Sequence, residues 1–212
     1  YFLRGSAELE LGDYESAKAD FDQAISMDPK NYDRLIEIYE ALAAHGYREV
    51  GQEYLQNVLD TAKQLDAYDS GRIYYYLGEY QKAYLALDEA RDKGGADSYL
   101  YLGRAYAATG DYNYASSVYN NYLSKQGPNA EIYNELGLCE MAKKEYQNAL
   151  AAFQAGKQIE GNSLMQTLCF NEIVAYEYLE DYQQAEVLMN AYLQNYPDDQ
   201  AAIREQQFLS TR

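Results

Sequence analysis

The sequence predicts an all-α chain: an array of about six helix–turn–helix repeats followed by a C-terminal capping helix. Three observations carry this prediction. A tyrosine stands three residues before an alanine in five places, at Tyr14 and Ala17, Tyr80 and Ala83, Tyr112 and Ala115, Tyr146 and Ala149, and Tyr182 and Ala185. A large apolar residue follows each alanine by four, and positions three and four apart share one face of a helix. Turn-forming pairs built on Gly, Pro, Asn and Asp fall between most of these blocks. With Gly51 as the small anchor of a degenerate copy, the anchors lie 32 to 36 residues apart, and periods of that length mark helical repeat arrays.

The first repeat covers about 1–29. Gly5 stands twelve residues before Ala17, Phe21 and Ala24 follow it, and Asp28-Pro29 closes the block, because the residue before proline is pushed out of the helical region. The second, about 30–62, is the degenerate one. It has Tyr39 where the first has glycine, Arg48 where the others have tyrosine, and Gly51, Leu55 and Val58 as its apolar stripe. No turn signal separates it from the third repeat, about 63–95, so Asp60 to Ser70 reads as continuous helix former until Tyr68-Asp69-Ser70. That third repeat then carries Gly71, Ala83, Leu87 and Ala90 and closes at Gly94-Gly95.

The fourth repeat, about 96–128, places Tyr99, Leu102, Gly103 and Tyr106 on one stripe ahead of Ala115, Tyr119 and Tyr122, and ends at Gly127-Pro128-Asn129. The fifth, about 129–163, repeats this with Tyr133, Leu136, Gly137, Ala149, Phe153 and Gly156. The sixth, about 164–197, has Glu172 and Ile173 in place of the Leu-Gly pair and ends at Tyr196-Pro197. A glycine inside a helix costs about 1 kcal/mol relative to alanine. Its recurrence at the same place implies close approach of the partner helix, with the anchor alanine facing it. In 198–212, Asp198 and Asp199 supply an N-cap, and Ile203, Phe208 and Leu209 form an apolar side suited to covering the last hairpin.

These residues resemble a known pattern. Tyr99-x2-Leu102-Gly103-x2-Tyr106 followed by Ala115-x3-Tyr119 is similar to the tetratricopeptide repeat, with Tyr99 in the place of its usual tryptophan, and Tyr133-x2-Leu136-Gly137 with Ala149-x3-Phe153 is similar again. Pro29 and Pro197 stand where that family has its repeat-ending proline. The resemblance covers about residues 1–197. It implies a right-handed α-solenoid whose first helices line a concave groove, and a scaffold that binds a protein or peptide rather than an enzyme. The alternative is an assembly subunit that packs through the ends of the solenoid or its convex face.

Composition and missing motifs point the same way. Net charge is −17, with 34 acidic against 17 basic residues, and such a surface repels phosphate backbones, so nucleic acid is not an expected partner. No apolar run is long enough to span a membrane. Phosphate-cradling glycine loops, zinc-protease, EF-hand and nucleophile-elbow patterns are all missing, so no cofactor, metal site or catalytic residue is expected. The lone His45 reads as a helix C-terminal residue serving free carbonyls. Cys139 and Cys169 would be offset by about six residues on neighbouring helices, roughly 9 Å, too far for a disulfide. Both are therefore expected to be reduced. The tyrosines three residues before the small anchors are expected to wedge between paired helices with their hydroxyls at the rim.

The groove expected on the first helices suggests a peptide site. In the third repeat it is lined by Leu65, Tyr68, Arg72, Tyr75 and Tyr76, in the fourth by Arg104, and in the fifth by Asn134. Arg72 and Arg104 are 32 residues apart, one local repeat, so they occupy equivalent positions. Two guanidinium groups beside Tyr68, Tyr75 and Tyr76 can hold a carboxylate and stack on an extended peptide. Alternatively, each arginine pairs with local acids such as Asp69 or Glu131. The set of Lys, Arg and Asn with which some family members hold a C-terminal carboxylate is not reproduced. The start at Tyr1 suggests a processed or trimmed chain, and its composition is compatible with an extracytoplasmic bacterial lipoprotein, with the cytoplasm as the alternative.

Overall fold

The computed structural model describes residues 1–91 and 93–212. Among the described residues there are thirteen α-helices and no strand. They pair sequentially and antiparallel and divide into two compact units, Tyr1–Ala90 and Arg91–Arg212. The first unit holds α1 (Phe2–Glu10) with α2 (Tyr14–Met27), α3 (Tyr32–Ala44) with α4 (Arg48–Thr61), and α5 (Ala67–Tyr76) with α6 (Tyr80–Glu89). The second holds α7 (Gly95–Ala108) with α8 (Tyr112–Gln126), α9 (Ala130–Ala142) with α10 (Tyr146–Lys157), α11 (Met165–Tyr178) with α12 (Tyr182–Asn195), and finally α13 (Gln200–Leu209). None of these helices is long and apolar enough to cross a membrane.

The recurring phrase at each turn has a separate task for every residue. Gly110 takes a left-handed backbone, and the amides of Gly110 and Asp111 return to the carbonyls of Ala107 and Tyr106, closing α7. The Asp111 carboxylate then accepts the amide of Tyr114 and caps α8, whose first residue is Tyr112. Asp13 and Asp181 cap α2 and α12 in the same way. All five repeated tyrosines are the first residue of a second helix, and Arg48 takes that place in α4. The left-handed position is glycine in four of the six turns but Lys144 (φ 64°) and Glu180 (φ 62°) in the last two.

Packing within the first five hairpins sets one large residue against one glycine. The side chain that fills the glycine belongs to the large residue four beyond the alanine, rather than to the alanine itself. A Cβ added at Gly5 would lie 2.8 Å from the Phe21 ring, and one at Gly71 would lie 2.5 Å from Leu87 Cγ. The rings of Tyr119 and Phe153 leave no room for a Cβ at Gly103 and Gly137. The anchors Ala17, Ala83, Ala115, Ala149 and Ala185 are completely buried beside these contacts. In the second hairpin the sizes are exchanged. Tyr39 on α3 lies against Gly51 on α4, where an added Cβ would meet the ring at 2.9 Å.

One junction departs from the expectation of continuous helix beyond Asp60. α4 stops at Thr61, Ala62 is extended, and Asp66 caps α5 by accepting the amide of Asp69. The capping carboxylate, not a Gly or Pro signal, sets this start. At the other end, Asp199 caps α13 by accepting the amides of Ala201 and Ala202. Ala202 and Leu209 are then buried against Ile173, Met189 and Tyr192, while Phe208 stays partly exposed.

Candidate partner-binding faces of the first helices

Within each unit, successive first helices are joined by polar contacts made at the positions expected to line a groove. In the first unit, Arg72 on α5 is buried, and its two terminal nitrogens lie 2.5 Å from Asp33 on α3 and 2.5 Å from Asp69 on its own helix. Its guanidinium carbon sits 4.2 Å from the centre of the Tyr68 ring, a cation–π geometry. Burial works against the Arg72 charge, but the hydrogen bonds to Asp33 and Asp69 outweigh it and hold the guanidinium above its ordinary pKa. Burial also pushes the Asp69 carboxyl up, against the pull of Arg72. One turn further along, the Tyr76 hydroxyl donates to Glu40 of α3. Its ring lies 5.1 Å from Tyr39 and 5.3 Å from Tyr75.

In the second unit, Arg104 on α7 reaches to α9, where Nη2 donates to Glu131 at 2.9 Å and to Glu135 at 2.7 Å, with Nε adding a longer bond to Glu135. Burial again opposes the charge, and the two glutamates raise the Arg104 pKa in spite of it. Asn134 is buried and accepts a hydrogen bond from the Asn171 side chain of α11 at 2.9 Å. The candidate residues therefore form two sets, Tyr68, Arg72, Tyr75 and Tyr76 in one unit and Arg104 and Asn134 in the other.

Arg72 and Arg104 share a register position but reach in opposite directions along the chain. Arg72 turns back to the preceding first helix, and Arg104 turns forward to the following one. The pairings with Asp69 and Glu131 match the local acids that the sequence offers. Asp33, Glu135 and Asn171 as partners are additions from the structure. Glu135 had a signal, since it lies one helical turn from Glu131 on the same face. Asp33 falls at a groove position expected from the register, but spacing alone does not pair it with Arg72. Other buried ions follow the same rule: Lys157 pairs with the buried Glu172, and Lys143 with the buried Glu140. These two buried carboxylates each sit beside a cation, which offsets the cost of removing them from water.

His45 follows the last residue of α3, with Nδ1 2.8 Å from the Ala41 carbonyl, the terminal carbonyl contact expected of it. Both cysteines are free, and no cluster with metal-ligand composition occurs among the described residues.

Models of the tetratricopeptide repeat match residues 1–31, 68–115 and 102–162. Among solved structures, PilW, described as a widely conserved type IV pilus biogenesis factor, superposes with a TM-score of 0.68 at 19% identity, covering 98% of this chain and 96% of that one. A chain of the APC/C hetero-tetramer Cut9–Hcn1 gives 0.64 at 17% identity; it covers 100% of this chain, which spans only 42% of that one. YrrB, described as a TPR protein with an unusual peptide-binding site, gives 0.58 at 18% identity over 88% of this chain and 97% of that one. At such identities the likeness is one of fold. A search of curated proteins found no match.

Proposed function

The chain belongs to the tetratricopeptide repeat family, and on that premise we propose that it is a non-catalytic scaffold holding a protein or peptide partner against the first-helix faces of its repeats. The observation that carries this reading is the pairing of each arginine on these faces with two carboxylates. Arg72 with Asp33 and Asp69 leaves a net negative charge, as does Arg104 with Glu131 and Glu135. Glu40 adds to the first set. Asp33 keeps 76% of its side chain exposed and Glu131 keeps 46%, so charge remains on offer to solvent. A partner that fits this surface brings Lys or Arg side chains to the exposed carboxylates and lays apolar surface on the tyrosines. An acidic group would have to displace Asp33 from Arg72 before gaining anything. YrrB, with its described peptide-binding site, supports the class of ligand but not its chemistry.

The test is retention of immobilised peptide pools, one rich in Lys and Arg and one rich in Asp and Glu, at two salt concentrations. The basic pool should be retained, less so at high salt, and Asp33→Asn with Glu131→Gln should weaken it. Equal retention of both pools, or none, rejects the reading. Assembly through an end or outer face is a second reading. It draws on Leu3 and Leu11, which are 79% and 84% exposed at the first hairpin.

A further inference from the structure

We propose that the degenerate second repeat opens a second ligand site that borders the first-helix face and shares Glu40, Tyr75 and Tyr76 with it, a cleft between the second and third hairpins that takes a peptide segment presenting an aromatic ring beside a carboxylate. The cleft has a volume of about 350 Å³ and is walled by the rings of Tyr39, Tyr75, Tyr76 and Tyr80, with Arg48 and Gln52 on the α4 side. Its origin lies in a substitution within the repeat. In the first hairpin, the tyrosine that begins the second helix, Tyr14, stacks on Tyr47 of the next hairpin at 4.2 Å. In the fifth, Tyr146 stacks on Tyr178 of the next at 5.0 Å. α4 begins with Arg48 instead, so no ring leaves this position to close the space before the third hairpin.

Charge selects the occupant. In the first unit, Arg4, Arg34 and Arg72 each have a carboxylate partner, whereas Arg48 is exposed and has none among the described residues. A guanidinium in a chain with 34 acidic residues that still has no partner offers a bidentate seat for a carboxylate, and the Gln52 amide can donate beside it. The carboxylate on the opposite wall, Glu40, accepts the Tyr76 hydroxyl. The contiguous rings, 5.1 to 5.8 Å apart, supply a surface on which a planar side chain packs edge-on or offset. This chemistry is opposite in sign to that proposed for the first-helix faces, and it does not depend on that reading.

The experiment titrates acetyl-Phe-Glu-amide and acetyl-Phe-Gln-amide into the whole chain, observed by NMR at the Arg48 guanidinium and the tyrosine rings. Saturable shifts at Arg48, Gln52 and Tyr80 are expected, with the glutamate probe favoured by at least about fivefold through the charge-assisted contact. Arg48→Gln should erase that preference while leaving the melting temperature unchanged. Arg48→Tyr should abolish binding of both probes and raise the melting temperature, because the ring restores the stacking seen after the first and fifth hairpins. Retention of basic peptides should be unaffected by either variant, so failure here and failure of the scaffold reading are distinguishable. Equal binding of the two probes, no saturation, a preference that survives Arg48→Gln, or shifts centred on Arg72 or Arg104 would each overturn the proposal.

Discussion

Tyr39 and Gly51 face each other across the second hairpin with their sizes exchanged relative to the other repeats: the first helix carries the ring and the second supplies the gap. In the first, fourth and fifth hairpins the glycine is on the first helix and the ring on the second, as in Gly5 with Phe21, Gly103 with Tyr119 and Gly137 with Phe153. The volume of the pair is conserved while its direction is reversed. A hairpin interior packed to native density tolerates this because it responds to total volume and shape rather than to which helix provides them.

Gly51→Ala should therefore destabilise the first unit, since the added methyl meets the Tyr39 ring at 2.9 Å, and overpacking of this kind costs about 1–3 kcal/mol. Gly137→Ala should cost at least as much, because Phe153 leaves no room at all. Urea denaturation is the check, and the midpoint should fall with an unchanged slope.

Removing the buried half of the Arg72 cluster should matter more than removing the exposed half. Arg72→Ala leaves Asp69 without its cation and should cost roughly 2–4 kcal/mol. Asp33→Asn should cost less than about 1 kcal/mol, because Asp33 is mostly exposed and Arg72 keeps Asp69. Thermal melts of the two variants at equal pH separate them.

Docking of α13 should weaken with rising pH. Burial and the nearby Glu205 of α13 push Glu177 on α11 up to about 7 from the ordinary glutamate value of 4.5. The folded chain thus holds a proton that the unfolded chain has lost. This contribution is fully present below about 4.5 and disappears as pH rises through about 7. Glu177→Gln should flatten the pH dependence of the melting temperature between pH 5 and 8 and reduce proteolysis after Pro197 at pH 8.

The two thiols should differ in reactivity. Cys139 is buried, and burial, with help from Glu135 and Glu140, pushes its thiol up to about 12. Cys169 is half-buried and lines a cleft of about 520 Å³ beside Lys157. Alkylation with iodoacetamide at pH 8 in the native state should modify Cys169 and spare Cys139, as read by peptide mass mapping.

The helix pairs were legible because their signals are local. Gly110, Asp111 and Tyr112 act within one turn, so their spacing is readable without a neighbour. The faces were half legible. Arg72 and Arg104 share a register, and that register says which helix surface they occupy, but it does not say which neighbour each one reaches. Their choice rests on where acids stand on adjacent first helices, Asp33 behind one and Glu131 and Glu135 ahead of the other. The junction after Thr61 was missed because Asp66 acts through one capping oxygen, which composition alone does not separate from an ordinary helical acid.

The left-handed turn residues Lys144 and Glu180 give the second unit an order of local opening. A residue with a Cβ in that region costs about 1–2 kcal/mol where glycine costs almost nothing. The tips around 143–146 and 179–182 therefore begin nearer to their open state than the tip at Gly110. Amide exchange near those two turns should be faster, and Lys144→Gly or Glu180→Gly should slow it. Fraying then has a built-in direction, and a hairpin that opens at its tip first exposes the amides of its second helix while its interior contact, Gly137 with Phe153 or Ile173 with Met189, still holds.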